Sequence, residues 1–260
     1  MTKLIQPRVL AAVAHPDDIE FLMAGTLLLL KSAGAELHFW NLAGGSLGSK
    51  RLGRSKIAAT RKSEARAAAR LAGAKIHAPL FDDLAIFYDR PSLARVAAVV
   101  RRVRPTIILT HALADYMEDH QNTARLVTTA AFSRAMSNYV SQPPEPSYDE
   151  TVTLYHALPH GLRGPLDERP RPTHYVDIAT VIETKRLMLA CHQSQGQWLS
   201  VSQRMDAYLD AMEQGARQTG SMSERFDLAE GFVQHSSVGF CAPGDDPLME
   251  LLGPSGRCVR

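Results

Sequence analysis

Three residues in the short stretch AHPDD could do chemistry together, namely His15, Asp17 and Asp18. They follow an apolar run from Val9 to Val13, where a buried strand is expected to end. Two adjacent carboxylates are costly inside a core, so they are expected at the rim of a sheet. His15 and Asp18 are three residues apart, which lets one turn direct both at a metal ion while Asp17 stays free as a base.

A second group of histidines and carboxylates follows a later β-rich run. The stretch HALADYMEDH, His111 to His120, comes directly after Thr106 to Thr110. In a doubly wound sheet of order 3-2-1-4, the strands that precede the two groups are neighbours, and ligands bind off their carboxyl ends. A catalytic zinc takes three protein ligands and leaves one position for water. His120 is the best candidate for the third ligand, and Asp17 for the base that takes a proton from that water.

A helix cap is the competing interpretation of AHPDD. Asp18 stands before the apolar segment IEFLMAG and would serve as a capping residue in an acidic first turn. The residues alone leave the metal site and the cap open.

Strand and helix patterns alternate four times over the first half of the chain. This alternation predicts an α/β fold with a mostly parallel sheet and helices on both faces. We expect a single domain over residues 1–260, in which 8–140 form the core and 147–260 complete the fold and the pocket. The predicted strands are Arg8 to Ala14, Glu36 to Leu42, Lys75 to Leu80, Thr106 to Thr110, Val152 to Ala157 and His174 to Ile178. The predicted helices are Ile19 to Ala33, Lys56 to Ala72, Ser92 to Val103, Asn122 to Tyr139, Ile182 to Gln193 and Val201 to Gln214.

Composition argues against several classes of protein. The 260 residues carry 29 basic and 27 acidic side chains, and the densest basic run lacks aromatic residues, so we expect no nucleic-acid partner. Three unpatterned cysteines, and the lack of a signal-like or membrane-spanning apolar run, predict a cytoplasmic protein. Gly44, Gly45 and Gly48 follow the second predicted strand and do not form G-x-G-x-x-G after the first, so dinucleotide binding is not expected.

Four motifs in this order resemble the PIG-L/LmbE-like family of zinc-dependent N-deacetylases. They are AVAHPDD, GGSLG, RKSEARAAARLAGA and DYMEDH, which span residues 8 to 130 and indicate a branch that carries DYMxDH. The resemblance implies a Rossmann-like fold and Zn²⁺, with another divalent metal as the alternative. It also implies a small-molecule substrate such as an N-acyl amino sugar, and a homo-oligomer, either a trimer or a hexamer.

The resemblance also implies roles for individual residues. His15, Asp18 and His120 match the metal ligands, and Asp17 matches the general base. Asp119 matches a residue that supports a ligand histidine. The predicted substrate contacts are Arg61, Tyr116, Asp119 and His192, the last because Gln193, Gln195 and Trp198 cluster with it and suit a polyhydroxylated ligand.

One position departs from the family pattern. Relatives often carry a histidine where this chain has Met117, and a thioether cannot donate a hydrogen bond to a substrate carbonyl. Tyr116, His111 and His192 are the candidates to replace it. Met117 also supports the alternative function, a sugar- or small-ligand-binding protein that has lost catalysis. The acidic pair Asp82 and Asp83 lacks a nearby histidine and is expected to be solvated.

Overall fold

The computed structural model describes residues 6–195 and 205–260. Its strands are β1 (Arg8–Val13), β2 (Glu36–Asn41), β3 (Lys75–His77), β4 (Ile107–Thr110), β5 (Thr153–Ala157), β6 (His174–Asp177), β7 (Ala229–Gln234) and β8 (Cys258–Val259). Its α-helices are α1 (Asp18–Leu22), α2 (Ala24–Ser32), α3 (Arg54–Leu71), α4 (Arg90–Val103), α5 (Glu118–Phe132), α6 (Ile182–Ala190), α7 (Met205–Met222) and α8 (Pro247–Leu252). Part of the predicted helix Val201 to Gln214 lies outside the described residues, as does Trp198.

The strands of the described residues form one sheet in the order β3-β2-β1-β4-β5-β7-β6-β8. Strands β3, β2, β1, β4 and β5 pair in parallel, whereas β7, β6 and β8 add antiparallel pairs at one side. The predicted mostly parallel sheet and its 3-2-1-4 strand order are therefore confirmed. Strand β1 lies between β2 and β4, so the two predicted groups of polar residues leave neighbouring strands at the same edge.

The two faces of β1 are buried against different layers of helices. Val9, Ala11 and Val13 join a core that includes α2 and α8, while Leu10 and Ala12 join a second core that includes α4 and α5. Both sets are fully buried. A strand that is buried on both faces reads as a continuous apolar run, which is the pattern that the sequence shows here.

The predicted helix Ile19 to Ala33 is wrong in one respect, because it is two helices. α1 ends at Leu22, Met23 has non-helical dihedral angles, and α2 begins at Ala24. The backbone N–H groups of Gly25 and Thr26 donate to the carboxylate of Glu230, at 2.8 and 2.7 Å. This distant carboxylate therefore satisfies donors at the start of α2 that a continuous helix would have used internally.

Among the helices of the described residues, none is both long and apolar enough to cross a membrane.

Candidate active site

The three predicted metal ligands converge on one point at the carboxyl edge of the sheet. His15 and Asp18 follow β1, and His120 lies in the first turn of α5, which follows β4. The Oδ2 atom of Asp18 lies 3.6 Å from Nδ1 of His15 and 3.6 Å from Nε2 of His120. Two ligands that are each about 2.1 Å from a tetrahedral ion lie roughly 3.4 Å apart. The three atoms therefore have the spacing of a metal site.

Each ligand histidine is held from behind by a carboxylate. His15 Nε2 lies 3.0 Å from Oδ2 of Asp119, and His120 Nδ1 lies 3.0 Å from Oδ1 of Asp115. Because an ionised carboxylate only accepts, the proton of each neutral ring lies on the nitrogen that faces it. The other nitrogen of each ring therefore directs a lone pair towards Asp18.

These lone pairs and the carboxylate of Asp18 need a cation between them. Burial lowers the pKa of His15, but hydrogen bonds to Asp119 and Asp18 outweigh it and raise the pKa to about 10. Burial likewise acts to raise the pKa of Asp18, yet the charges of His120 and His111 hold it well below its ordinary value. The surroundings thus favour positive charge at this point, and two imidazoles with one carboxylate fit a divalent ion such as zinc.

Asp18 does not act as a simple helix cap. Its Oδ2 accepts a hydrogen bond from the backbone N–H of His15 at 2.7 Å. Asp17 occupies the N-cap position of α1 and makes no side-chain capping bond there. The cap interpretation of AHPDD therefore fails for both carboxylates.

Asp17 lies beside the ligands in a strained conformation. Its φ of 106° and ψ of −24° are unusual for a residue other than glycine. Its Oδ2 accepts hydrogen bonds from the hydroxyl of Tyr208 at 2.8 Å and from the guanidinium of Arg61 at 3.3 Å. Burial raises the pKa of Asp17, whereas the charge of Arg61 acts in the opposite direction. One oxygen of this carboxylate is therefore held in place, and no described side chain donates a hydrogen bond to the other.

The side chain of Arg61 packs closely against the glycine-rich loop that follows β2. It is buried, and it also donates to the backbone carbonyl of Pro16 at 2.7 Å. A Cβ atom on Gly45, which has a φ of +74°, would lie 2.5 Å from Cδ of Arg61, and one on Gly48 would lie 2.7 Å from a guanidinium nitrogen. These two glycines therefore make room for Arg61, which is their role in this fold.

The expected solvation of the acidic pair is wrong for Asp83. Its side chain is buried and accepts hydrogen bonds from the backbone N–H groups of Gly45 and Leu47, at 2.7 and 2.9 Å. Asp82 is exposed and pairs with Arg54. Asp83 is buried because free N–H groups in a glycine-rich turn attract a carboxylate. The residues next to Asp83 in the sequence do not reveal this loop.

A cavity of about 350 Å³, here called the metal cavity, opens above these residues. Tyr116 and Met117 lie on its wall, together with Phe21, Leu84 and His160. Tyr116 is 60% exposed, and its ring meets the ring of His120 edge-on at 5.4 Å. The predicted contact residue Tyr116 is thus within reach of a ligand in this cavity.

Two other predicted contact residues lie behind the cavity wall. Asp119 is buried and accepts bonds from His15 and from the backbone N–H of Leu84, so it orients a ligand histidine. His192 is fully buried, 3.2 Å from the carboxylate of Glu20. His192 has no contact with the metal cavity in this structure.

His111 packs against the candidate metal ligand His120. Its Nε2 accepts a hydrogen bond from the backbone N–H of Ala14 at 2.9 Å, and its ring stacks on that of His120 at 4.0 Å. The lone pair on Nε2 of His111 is therefore already engaged in the hydrogen bond with Ala14. No sequence pattern singles out Tyr208, which lies on α7. Sequence reasoning also does not identify the contact of Asp115 with His120, although Asp115 lies within DYMEDH.

The family comparison agrees with this geometry. The family model PIG-L: GlcNAc-PI de-N-acetylase matches residues 10–131, the range that contains the three candidate metal ligands and Asp17. The match covers 122 of the 260 residues, nearly all in the first half of the chain. The resemblance drawn from the four motifs is thereby confirmed.

The relatives of this protein differ in activity. A 4-oxalmesaconate hydratase of Pseudomonas putida KT2440 is 29% identical over 204 residues, which cover 73% of this chain and 74% of the relative. A diacetylchitobiose deacetylase of Thermococcus kodakarensis is 27% identical over 195 residues, which cover 72% of this chain and 70% of the relative. The chain is therefore similar both to a deacetylase and to a hydratase.

Solved structures share the fold along most of the chain. The 4-carboxy-2-hydroxymuconate hydratase of Pseudomonas putida KT2440 has a TM-score of 0.75 at 23% identity, covering 93% of this chain and 99% of that one. The N,N'-diacetylchitobiose deacetylase of Pyrococcus horikoshii, in complex with an inhibitor, has a TM-score of 0.74 at 21% identity, covering 93% and 88%. The zinc-inhibited form of teicoplanin deacetylase Orf2 has a TM-score of 0.64 at 15% identity, covering 87% and 97%. The fold that the chain shares with these structures thus extends beyond residues 10–131, the range of the family model.

Proposed function

We propose that this protein is a metal-dependent amidase that removes the acetyl group from an N-acetylglucosamine-type or related small, uncharged substrate. The observation that carries the proposal is the arrangement of four side chains. His15, Asp18 and His120 converge on one point, and the free oxygen of Asp17 lies beside it on the same cavity. The diacetylchitobiose deacetylase among the relatives supports this assignment.

His15, Asp18 and His120 would hold the metal, which we propose to be Zn²⁺. A divalent ion in such a site supplies two things, a water whose pKa is lowered towards about 7 and polarisation of an acyl oxygen. Asp119 and Asp115 keep the two ligand rings in the required tautomer and orientation.

Asp17 is proposed as the base and then the acid. Its free oxygen takes the proton of the attacking water and returns it to the amine nitrogen when the amide bond breaks. Tyr208 and Arg61 hold the other oxygen, so the carboxylate cannot rotate away from the substrate. Burial raises the pKa of Asp17, which brings it closer to the range in which one carboxyl both accepts and donates.

Tyr116 is the proposed replacement for the donor that Met117 cannot provide. Of the three candidates from the sequence, His111 has its Nε2 occupied by Ala14, and His192 lies behind the wall. Tyr116 alone among them lies on the metal cavity. Although much of the ring is exposed, desolvation of its hydroxyl and the nearby charges of Asp18 and Asp115 raise the pKa of Tyr116, so the hydroxyl keeps the proton that it would donate to the acyl oxygen.

The charges on the cavity wall favour an uncharged substrate. Among the described residues that line the metal cavity, Arg61 is the one side chain with a permanent positive charge. Its guanidinium is already engaged with Asp17 and Pro16. A substrate with several carboxylates would find no free arginine or lysine among these residues.

A hydratase is the second candidate, because the relative at 29% identity is one. Adding water across a carbon–carbon double bond also needs a positioned water and an acid–base group, which this site would provide. Acetate release from N-acetylglucosamine and N,N'-diacetylchitobiose, measured beside the absorbance change of 4-oxalmesaconate, separates the two. Loss of 4-oxalmesaconate without acetate release contradicts the amidase proposal.

The metal and Asp17 can be tested with a pair of variants. We expect about one zinc per chain in the wild type, loss of that zinc in His120→Ala, and its retention in Asp17→Asn. The Asp17→Asn variant should nevertheless lose at least a hundredfold in kcat, because general acid–base catalysis typically contributes 10²–10⁴-fold. Elemental analysis and acetate release check both statements.

Two results would contradict this mechanism. If Asp17→Asn kept wild-type turnover, Asp17 would not be the base. If the wild type bound zinc but converted neither the sugars nor 4-oxalmesaconate, the altered ligand-binding function would be favoured. Zinc should be added at one equivalent and in excess, because one deacetylase of this fold is known in a zinc-inhibited form.

A further inference from the structure

Another cavity, of about 440 Å³ and here called the α3 cavity, lies between helix α3 and the strands β2 and β3. Its described lining residues differ entirely from those of the metal cavity, and Pro16 is the one that comes from the AHPDD turn. Small-molecule sites in proteins typically have volumes of about 300–1,000 Å³. The α3 cavity therefore offers a binding volume that the proposed deacetylation does not use.

Two positive side chains, Lys62 and Arg66, line the α3 cavity from one face of the helix. Both are exposed, and neither makes a hydrogen bond or an ion pair with another described residue. By contrast, Arg54 of the same helix pairs with Asp82. Like charges four residues apart destabilise a helix, and no aspartate or glutamate stands among the described lining residues. The two cations therefore lack a counter-charge, which an anionic ligand would provide.

Asn41, the last residue of β2, supplies a buried amide to the same cavity. It is 8% exposed, and its Oδ1 atom has no hydrogen-bond partner within the part of the chain that the structure describes. Buried polar atoms in folded proteins nearly always have a partner. A carboxamide both donates and accepts hydrogen bonds, so Asn41 can bind a polar group of a ligand in either orientation. This unpartnered amide indicates a ligand independently of the two cations.

Much of the remaining wall is apolar or neutral. Ala65, Ile76 and Pro79 supply aliphatic surface. The ring of His77 also lines the cavity, with its Nε2 2.8 Å from Nδ1 of His38. Burial lowers the pKa of His77 to about 4, so this ring adds no charge near pH 7. The wall suits a ligand with an apolar body better than it suits a bare ion.

We propose that the α3 cavity binds a phosphate monoester whose phosphate is attached to an apolar ring. A phosphate monoester carries a charge of about −1.5 to −2 at pH 7, which matches the two cations. The fork of Arg66 can donate to two phosphate oxygens, and Lys62 adds a point charge. The amide of Asn41 binds a polar group of the ligand, and the ring lies against Ile76 and Pro79.

The test is titration calorimetry with phenyl phosphate as the probe. The wild-type protein with its metal is compared with Lys62→Gln/Arg66→Gln, which removes both charges from the cavity. The matched control is Lys56→Gln/Arg70→Gln, which removes the same charge from exposed positions of α3 outside the cavity. Glutamine forms helices about as well as lysine and arginine, so both double variants are expected to fold.

We expect the affinity of Lys62→Gln/Arg66→Gln to fall at least about tenfold, because charge-assisted hydrogen bonds are lost. The control should change less than about twofold, since charges outside the cavity are screened by salt. Benzoate, which carries one charge, and inorganic phosphate, which lacks the ring, should bind more weakly than phenyl phosphate.

Two further variants separate this site from the metal cavity. A phosphate can also bind a metal ion, so the titration is repeated with His120→Ala, which should keep the affinity of the wild type. Asn41→Leu keeps the volume of the side chain but removes its amide, and it should weaken binding.

Four results would overturn the inference. They are no binding to the wild type, an equal loss of affinity in the two double variants, loss of binding in His120→Ala, and benzoate or inorganic phosphate binding as tightly as phenyl phosphate. Because binding is measured without turnover, each result is independent of the proposed deacetylase function.

Discussion

The carboxylate of Asp17 has two oxygens with different surroundings. Oδ2 accepts hydrogen bonds from Tyr208 and Arg61. The residue is mostly buried and has a positive φ, so its orientation depends on these partners. A strained residue of this kind persists only where its neighbours fix it.

Removal of the Tyr208 hydroxyl should lower turnover without loss of metal. Hydrogen bonds to charged groups contribute about 1.5–3 kcal/mol, so we expect kcat of Tyr208→Phe to fall by about one to two orders of magnitude. KM should change less than kcat, because the hydroxyl orients the base. Steady-state kinetics and elemental analysis check this expectation.

Tyr175→Phe is the matched control, since Tyr175 lies on β6, away from the metal cavity. Its kinetics should equal those of the wild type. Wild-type kcat in Tyr208→Phe would show that Arg61 alone is enough to orient Asp17.

The convergence of the candidate ligands was easier to predict from the sequence than the residues that support them. His15, Asp18 and His120 could be placed together because the strand ends of a parallel sheet meet at one edge. Tyr208 could not be predicted, since it follows Asp17 by 191 residues and lies on a helix whose polar residues show no distinguishing pattern. His192 was predicted to contact substrate from its polar neighbours, and its burial beside Glu20 depends on packing that those neighbours do not reveal.

At the level of elements, the loop between β2 and α3 holds Arg61 in place. Its glycines approach the Arg61 side chain, and Asp83 binds its N–H groups. The sequence indicated a glycine-rich loop, but it did not indicate what the glycines make room for. Helix α3 brings Arg61 into that space from the other side.

Gly45→Ala should disturb the site through this loop. The new Cβ would lie 2.5 Å from Cδ of Arg61, at a φ of +74° that alanine disfavours. We expect a loss of about 1–3 kcal/mol in the free energy of unfolding, together with a lower kcat because Arg61 is displaced from Asp17. Urea unfolding and acetate release measure the two effects.

Gly53→Ala is the matched control in the same loop. Gly53 has a φ of −65°, and a Cβ there would meet no described atom within 4 Å. Because Gly53 is the N-cap residue of α3, where glycine is favoured over alanine, Gly53→Ala should cost at most about 1 kcal/mol and leave kcat unchanged. If Gly45→Ala behaved like Gly53→Ala, the close approach of the loop would not be important for the site.

The break between α1 and α2 shows a different limit of sequence analysis. The apolar pattern continues through Met23, so it predicts one helix. The break depends on Glu230, which lies about 200 residues later on β7 and binds the start of α2. No local pattern contains this interaction.

For the whole molecule, the parallel half of the sheet was predictable, whereas in the antiparallel half only β6 was predicted as a strand. Strands β1 to β4 alternate with helices, and this alternation fixes their order with few alternatives. Strand β7 inserts between β5 and β6 against the chain order, and its segment was not predicted as a strand. The cytoplasmic location and the trimer or hexamer stay predictions.

The stability of the whole molecule should depend on pH through a buried histidine in this sheet. His156 on β5 is 4% exposed, and its Nδ1 donates to the carbonyl of His111 at 2.7 Å. Burial lowers the pKa of His156 to about 4. In the unfolded chain the pKa of histidine is near 6.5. Between these values the unfolded chain binds the proton first, so the contribution of His156 is complete above pH 6.5 and is lost as the pH falls towards 4.

His156→Gln should remove this part of the pH dependence, because glutamine does not titrate and can still donate to the carbonyl of His111. From pH 7.5 to 5 the wild type should lose about 2 kcal/mol of unfolding free energy through His156, most of it below pH 6.5, where the slope approaches roughly 1.4 kcal/mol per pH unit. Urea unfolding of chelator-treated, metal-free protein at pH 7.5 and pH 5 measures the loss in both proteins. The value at pH 7.5 reports the cost of the substitution itself, so the comparison concerns only the change between the two pH values. An equal change in wild type and variant would mean that His156 is protonated in the folded protein at pH 5.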